Sequence, residues 1–308
     1  MSKTFRGILI IASIFFALLI IFLYRQVVDI SRPFPPLSTD TLEVAQTVPS
    51  KPVYYFGVIS RFPPTLIYQG YQPIMDYLNA VTPYHFELRL GKSYQQTVQQ
   101  LVSGQVAAAF LGSFLFAKES KRHHLRCILK PLNADGQPVL RAVVITKSSS
   151  DIHSLKDLPG KKVALPSRLS FSANWFLYQA LPRQHLTLSD LDSVHIFAHH
   201  YTVVYEVLKG RFDAGVVKDR VAQSFLNRGI RIVAESQPVP SSPIVVSEKS
   251  PKEVVQAVSR ALLAVDPQKP RYRKIVARWD PEFAWGFVPA KAKDYLVLLP
   301  LVKTAEGH

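Results

Sequence analysis

Ser167, Ser170 and Ser172 crowd into PSRLSFSANWFLYQAL (166–181), directly ahead of an apolar run that reads as a helix. The first turn of a helix has unpaired backbone N–H groups and the positive end of the helix dipole, so it takes anions readily. Serine hydroxyls placed there add donors that rotate toward an oxygen. The same pattern also fits a plain N-cap by Ser172, common where a helix begins. Spacing alone leaves both roles open.

His199 and His200 in FAHHYT form a second candidate. Imidazole can donate to an oxyanion near neutral pH; the alternative is a polar strand end facing water. No carboxylate or cysteine set accompanies HIFAHH, so no metal is expected. His123, His124 and Cys127 in KRHHLRC sit in a basic loop before a strand and read as solvent-facing. Cys127 is the only cysteine, which excludes an internal disulfide, and it reads as a small buried hydrophobe. Asp213 in GRFDAGVV fits a turn cap better than a ligand contact. The sequence has no G-x-S-x-G elbow, no G-x-x-x-x-G-K-[ST] loop and no H-E-x-x-H. No enzyme and no cofactor is therefore expected.

These residues need a frame. KPVYYFGVIS, HFELRL, QVAAAFLG, VLRAVVITK, KKVALP and DSVHIFAHH read as strands. Helical runs separate them: Gln69 to Ala80 with Pro73 in its first turn, SYQQTVQQLVSG with Gly104 as a stop, GSFLFAKES, and YTVVYEVLKG with Gly210 as a stop. PKEVVQAVSRALLAV and RYRKIVARW add two more helices. Such alternation predicts an α/β architecture with a largely parallel sheet. One phrase occurs twice: helix, then LVSGQVAAAFLG in one half and VLKGRFDAGVV in the other. Two similar α/β lobes would explain it.

With 308 residues, 48% of them hydrophobic, the chain can build one large domain or two lobes with real cores. Its net charge of +15 suits an anionic partner, whether small oxyanion, lipid head group or nucleic acid. Ile8 to Tyr24 is apolar and uncharged, at the short end of what spans a bilayer. No small-x-small cleavage site follows, which favours an uncleaved signal anchor (residues 1–25). Lys3 and Arg6 ahead of it predict a cytoplasmic N-terminus and an exported remainder. Residues 26–51, with four prolines and no glycine up to Ser50, read as a semi-rigid spacer.

From residue 52 to 300 the chain resembles the phosphonate/phosphite-type substrate-binding proteins of ABC transporters, in the type II periplasmic binding protein superfamily. The resemblance lies in an ordered set of phrases: FGVISRFPP, SYQQTVQQLVSGQVAAAFLGSFLF, SLKDLPGKKVAL, SRLSFSA and FAHHYTVVYEVLKGRFDAGVV. It implies a two-lobed α/β fold with a hinge, preceded here by the N-terminal transmembrane helix. Lobe 1 would hold about 52–143 and 236–300, lobe 2 about 144–235, with crossings near Val143 and Pro238 to Pro243.

The resemblance also implies a ligand site. Ser170, Phe171, Ser172 and Ala173 match the family's anion loop, but Phe171 replaces a hydroxyl residue and Ala173 a glycine. His200 matches a ligand-contacting histidine, followed by Tyr201 where an acid is common. Gly112 and Ser113 would open a helix across the cleft, and Phe116 stands where the family tends to have a binding tyrosine. Tyr94 matches a tyrosine at a helix start, or else packs in the core. Arg61 after the first strand could meet an anion, although a solvated arginine is more common. Ser241 and Ser242 lie where an acidic or amide contact is often found. The implied function is capture of a small anion, phosphonate-, phosphite- or phosphate-like, for an ABC transporter permease by a protein tethered to the inner membrane through its N-terminal helix. The alternative is an extracytoplasmic sensor of a non-phosphonate ligand that signals through a membrane partner. Nucleic acid is not an expected partner, because a membrane segment stands where a DNA-binding motif would be.

Overall fold

Among the described residues the strand runs assemble into two main sheets and a two-stranded ribbon. The computed structural model describes residues 16–19 and 51–307. The anchor and spacer expected for 1–51 lie almost wholly outside the described residues, and among the described residues no helix is long and apolar enough to cross a membrane.

Strands β1 (Val53–Val58), β2 (His85–Leu90), β3 (Ala108–Phe110), β4 (Arg126–Pro131), β12 (Ile244–Val246) and β13 (Phe287–Pro289) form a six-stranded sheet, ordered β13-β4-β12-β3-β1-β2. Strands β6 (Ala142–Lys147), β7 (Lys162–Leu165), β8 (Ser193–Ile196), β9 (Ala214–Lys218) and β10 (Ile230–Glu235) form a five-stranded sheet, ordered β10-β6-β9-β7-β8. Each sheet is the centre of one lobe. Between them, β5 (Val139–Leu140) and β11 (Val239–Pro240) pair antiparallel as a small ribbon where the chain crosses and returns.

The sheets are mixed rather than largely parallel. Only β2-β1-β3 and β8-β7-β9 are parallel runs. β12 runs antiparallel to β3 and β4, and β6 antiparallel to β9 and β10. Strands entering a sheet next to the crossings arrive from the opposite end, which sets their direction. VLRAVVITK is accordingly two strands, broken at Arg141 where the chain changes lobe.

Helix α1 (Pro64–Val81) starts five residues earlier than its sequence pattern suggests. Pro64 takes the first helical position, where the missing N–H costs nothing. Pro73 is therefore in mid-helix, not in the first turn. Helix α2 (Tyr94–Val102) is capped by Ser93, whose side chain accepts from Gln96 N at 3.2 Å. Helix α3 (Ser113–Glu119) follows β3, and α4 (Phe171–Trp175) follows β7 and runs on through a π-turn to Arg183. Helices α5 (His200–Leu208) and α6 (Asp219–Gln223) flank β9; α7 (Lys252–Leu263), α8 (Pro270–Val276) and α9 (Leu299–Glu306) complete the chain.

The repeated phrase has a structural basis. Gly104 after α2 (φ 79°) and Gly210 after α5 (φ 71°) both take the left-handed conformation that ends a helix. Each then feeds a buried strand, β3 or β9, in the middle of its own sheet. Apolar clusters draw on both lobes: Phe56 and Phe110 share one with Val203 and Val217, and Ile59, Leu111 and Phe116 share another with Phe171 and Phe176. The lobes are closed on each other.

Candidate functional site

In the α4 loop the two serines divide their roles. Ser170, not Ser172, is the N-cap: its Oγ accepts from Ala173 N at 3.2 Å. Ser172 falls inside the first turn. Its Oγ is buried and has no hydrogen-bond partner among the described residues. Phe171 and Ala173 are buried beside it, and Phe171 joins the apolar cluster that holds Tyr94, Leu111 and Phe116. Asn174 Nδ2 donates to the carbonyls of Arg168 (2.6 Å) and Ser170 (2.7 Å), which fixes the loop.

Across the cleft, Gly112 caps α3 and Ser113 begins it. Helices α3 and α4 pack against each other. Ser113 Oγ donates to Pro240 O at 2.6 Å and so ties α3 to the returning ribbon. Phe116 stacks edge-on against Tyr295, whose hydroxyl donates to Ser241 O at 2.7 Å. The Ser241 hydroxyl is a second buried oxygen without a partner among the described residues. Tyr94 is buried at the start of α2, and burial pushes its hydroxyl pKa up against the opposing pull of Arg61.

Arg61 is not solvated. It is 1% exposed, pairs with Glu282 and with Asp280 at 3.2 Å, and donates to Tyr71 Oη. Its guanidinium also lies 4.6 Å and 4.8 Å from the ring centroids of Phe62 and Phe110. The anions that it meets are the protein's own. From the other lobe, Lys218 at the end of β9 reaches Glu282 (3.0 Å) and donates to Ser242 Oγ (2.8 Å). Burial, then the charges of Arg61 and Arg220, hold the Lys218 ammonium well below its usual range.

His200 is the first residue of α5 and is buried, not a strand end in water, because β8 stops at Ile196. Its backbone N–H donates to Arg61 O (3.3 Å) and His199 Nδ1 lies 2.9 Å from Ser60 O, so both histidines cross the cleft. Lys218 N donates to His200 Nδ1 at 3.4 Å, which leaves the ring proton on Nε2. Burial, then Lys218 and Arg61, depress its pKa well below 6.5. Tyr201 packs edge-on against Phe62, again across the cleft.

The depressed His200 pKa has a measurable sign. Near pH 6.5 the unfolded chain binds a proton there and the folded chain does not, so stability falls as pH drops below 6.5. The His200→Asn variant should lose up to about 1.4 kcal/mol per pH unit less than wild type between pH 6 and 5. Urea denaturation at each pH measures this, and equal slopes would contradict a buried neutral His200.

The remaining candidates stand apart. His123 is largely covered rather than solvent-facing, with Nε2 3.3 Å from Glu119; His124 is exposed at φ 50°. Cys127 is half-buried on β4 and not a core residue, and burial pushes its thiol up to about 11. Among the described residues no cluster of three or more His, Cys, Asp or Glu could hold a metal. Asp213 accepts from Lys162 N at 2.8 Å. Lys218, Glu282, Asp280 and Tyr71 were not legible as site residues. The available signal was a lysine closing the buried strand AGVVK and two acids inside the aromatic segment WDPEF.

Comparison with known proteins bears directly on this cleft. The family profile described as "ABC transporter, phosphonate, periplasmic substrate-binding protein" matches residues 56–295. The phosphate-import protein PhnD of Mycolicibacterium smegmatis is 24% identical over 251 residues, covering 73% of this chain and 77% of that one. Among solved structures, the fold is similar to a binding protein component of an ABC phosphonate transporter from Pseudomonas aeruginosa (TM-score 0.73, 17% identity, 83% of this chain and 87% of that one). It is equally similar to PhnD1 of Prochlorococcus marinus in complex with methylphosphonate (TM-score 0.73, 12% identity, 84% and 100%). Members of this family are substrate-binding components, not enzymes. With its two α/β lobes closed over buried serines and a histidine, and with the family profile spanning nearly all of both lobes, this chain belongs to the periplasmic phosphonate substrate-binding proteins of ABC transporters.

Proposed function

We propose that residues 52–300 capture a small phosphonate- or phosphate-like oxyanion between the lobes and present it to an ABC permease, with the apolar run Ile8 to Tyr24 as the membrane tether. The observation that carries this reading is the pair of buried, unpartnered hydroxyls, Ser172 in one lobe and Ser241 in the returning segment. A buried hydroxyl with no partner is costly, and a bound oxyanion supplies the acceptor. Ser172 also sits in the first turn of α4, where backbone N–H groups favour negative charge. Gly112, Ser113 and Tyr94 would shape the opposite wall, and His200 the wall on the Ser172 side. Phe171 and Phe116 supply apolar surface that suits a carbon-bonded oxyanion.

Calorimetry on the full chain with methylphosphonate, phosphite and phosphate tests the reading. Ser172→Ala should weaken binding by roughly 10- to 100-fold, the worth of a hydrogen bond to a charged group. Its unfolding midpoint should hold or rise, because a buried orphan hydroxyl is removed. No heat with any of the three anions in the wild-type protein would refute the proposal. A mass measurement of the mature protein tests the tether.

A further inference from the structure

We infer that the exposed face around α1, α7 and α8 of the first lobe seats this domain against an anionic lipid bilayer. The inference rests on the tether reading, because the chain that leaves the apolar run Ile8 to Tyr24 enters the domain at Lys51. Lys51 sits at the C-terminal end of α1: its Nζ donates to Thr82 O at 2.8 Å and to Asn79 O. Carbonyls at a helix C-terminus hold a cation well. Thr82 lines a shallow cavity of about 370 Å³, together with Tyr77, Val81, Arg260, Ala261 and Tyr272. A tether would therefore enter the domain at the edge of this cavity.

The face is cationic. Between Ala257 and Arg278 six basic residues, Arg260, Lys269, Arg271, Arg273, Lys274 and Arg278, stand against one acid, Asp266. That segment alone has a net charge of +5, a third of the +15 carried by the whole chain. All six basic residues are exposed. Asp266 pairs with Lys269 at 3.7 Å, and none of the other five is in an ion pair among the described residues. Among the described residues no acidic side chain lines the cavity. Asp76, exposed on α1, accepts from Gln72 at 3.0 Å. The Arg271 guanidinium lies 4.5 Å from the Tyr272 ring centroid, which holds its charge at the cavity wall.

Charge alone would suit any acidic partner. The same face also exposes aliphatic groups: Val81, at the cavity, is 52% exposed, and Leu263, three residues beyond Arg260 on α7, is 43% exposed. Aliphatic side chains beside arginines and lysines fit the boundary between lipid head groups and acyl chains. An anionic bilayer favours each nearby lysine or arginine by about 5-fold in partitioning. Seating turns a tethered domain into an oriented one.

The full chain with Cys127→Ser, carrying an environment-sensitive fluorophore at Val81→Cys, tests this in phosphatidylcholine vesicles with and without about one third phosphatidylglycerol. A second label at Leu188→Cys, exposed on the other lobe, is the control. Flotation should carry the protein with both kinds of vesicle, through the tether. The Val81 label should shift to the blue only with phosphatidylglycerol and revert in high salt, which screens surface attraction. The Leu188 label should not shift. Arg260→Gln with Arg271→Gln should lower the ratio of seated to free domain by about 25-fold, two charges at about 5-fold each, whereas lysine at both positions should keep it. No shift at Val81 with phosphatidylglycerol, an equal shift at both labels, or a shift that the two glutamines leave unchanged overturns the seat. Neutral vesicles separate the two readings. Flotation with them and no Val81 shift on anionic ones keeps the tether and removes the seat. Flotation with anionic vesicles alone, lost in the glutamine variant, keeps the seat and removes the tether. No flotation with either removes both.

Discussion

Replacing Glu282 by glutamine is expected to destabilise the protein by about 3–5 kcal/mol, the usual cost of leaving a buried charge without its partner. Glu282 is 4% exposed and bridges the lobes: Arg61 on its own side, Lys218 at 3.0 Å from the other. Arg61 keeps Asp280, so the uncompensated charge falls on Lys218. For a domain of this size the loss corresponds to a melting temperature lower by about 10 °C. Because the pair crosses the cleft, small-angle scattering should also report a larger radius of gyration. The paired variant Lys218→Met with Glu282→Leu should recover most of the stability, since an apolar pair of similar volume removes both desolvation costs. A Glu282→Gln melt within 2–3 °C of wild type, about 1 kcal/mol, would show that the bridge is not a stability determinant.

The second large effect is expected at Phe283. Its ring is fully buried and meets Tyr71 (5.3 Å between centroids), Phe110 (4.7 Å) and Phe287 (4.9 Å), all edge-on or nearly so. Phe283→Ala should cost about 3–5 kcal/mol from lost burial and the cavity left behind. Aromatic pairs of this geometry add to that. Phe283→Leu keeps most of the volume and should cost under about 1.5 kcal/mol. The segment it anchors also carries Asp280 and Glu282; Asp280 N donates to Gly70 O at 2.8 Å on α1. Thermal melts of the two variants decide the matter, and similar losses for both would argue that the aromatic geometry, not the volume, dominates.

The sequence made the repeated helix–glycine–strand phrase legible because a helix stop and a buried apolar strand are local signals. β2, α2, α3 and α7 follow their patterns for the same reason. Pro73 misled because a proline within an apolar periodicity fits a first turn as well as a helix interior, and Pro64 had no pattern ahead of it. Strand direction was not readable, since it depends on where the chain re-enters a sheet after the ribbon. At the site, Ser170 and Ser172 were legible as a helix start, but which of them caps is decided by the bond to Ala173 N. The Arg61, Lys218, Glu282 cluster joins residues up to 221 positions apart, and nothing local links them.

The strand order has a consequence for how the chain acquires its shape. β3 and β4 follow one another in sequence, yet β12 lies between them in the sheet. β12 begins at Ile244, long after β4 ends at Pro131. When β4 emerges, the slot beside β3 is still empty, and both strands present unpaired edges. The five strands of the other sheet all fall between Ala142 and Glu235, so their contacts are closer in sequence and their loops cheaper to close. The inserted lobe can therefore form first, as a unit, while its host waits for its own central strand. Biogenesis would run from the inside of the sequence outward, and the interval before residue 246 is the one in which the exposed edges of β3 and β4 invite mispairing.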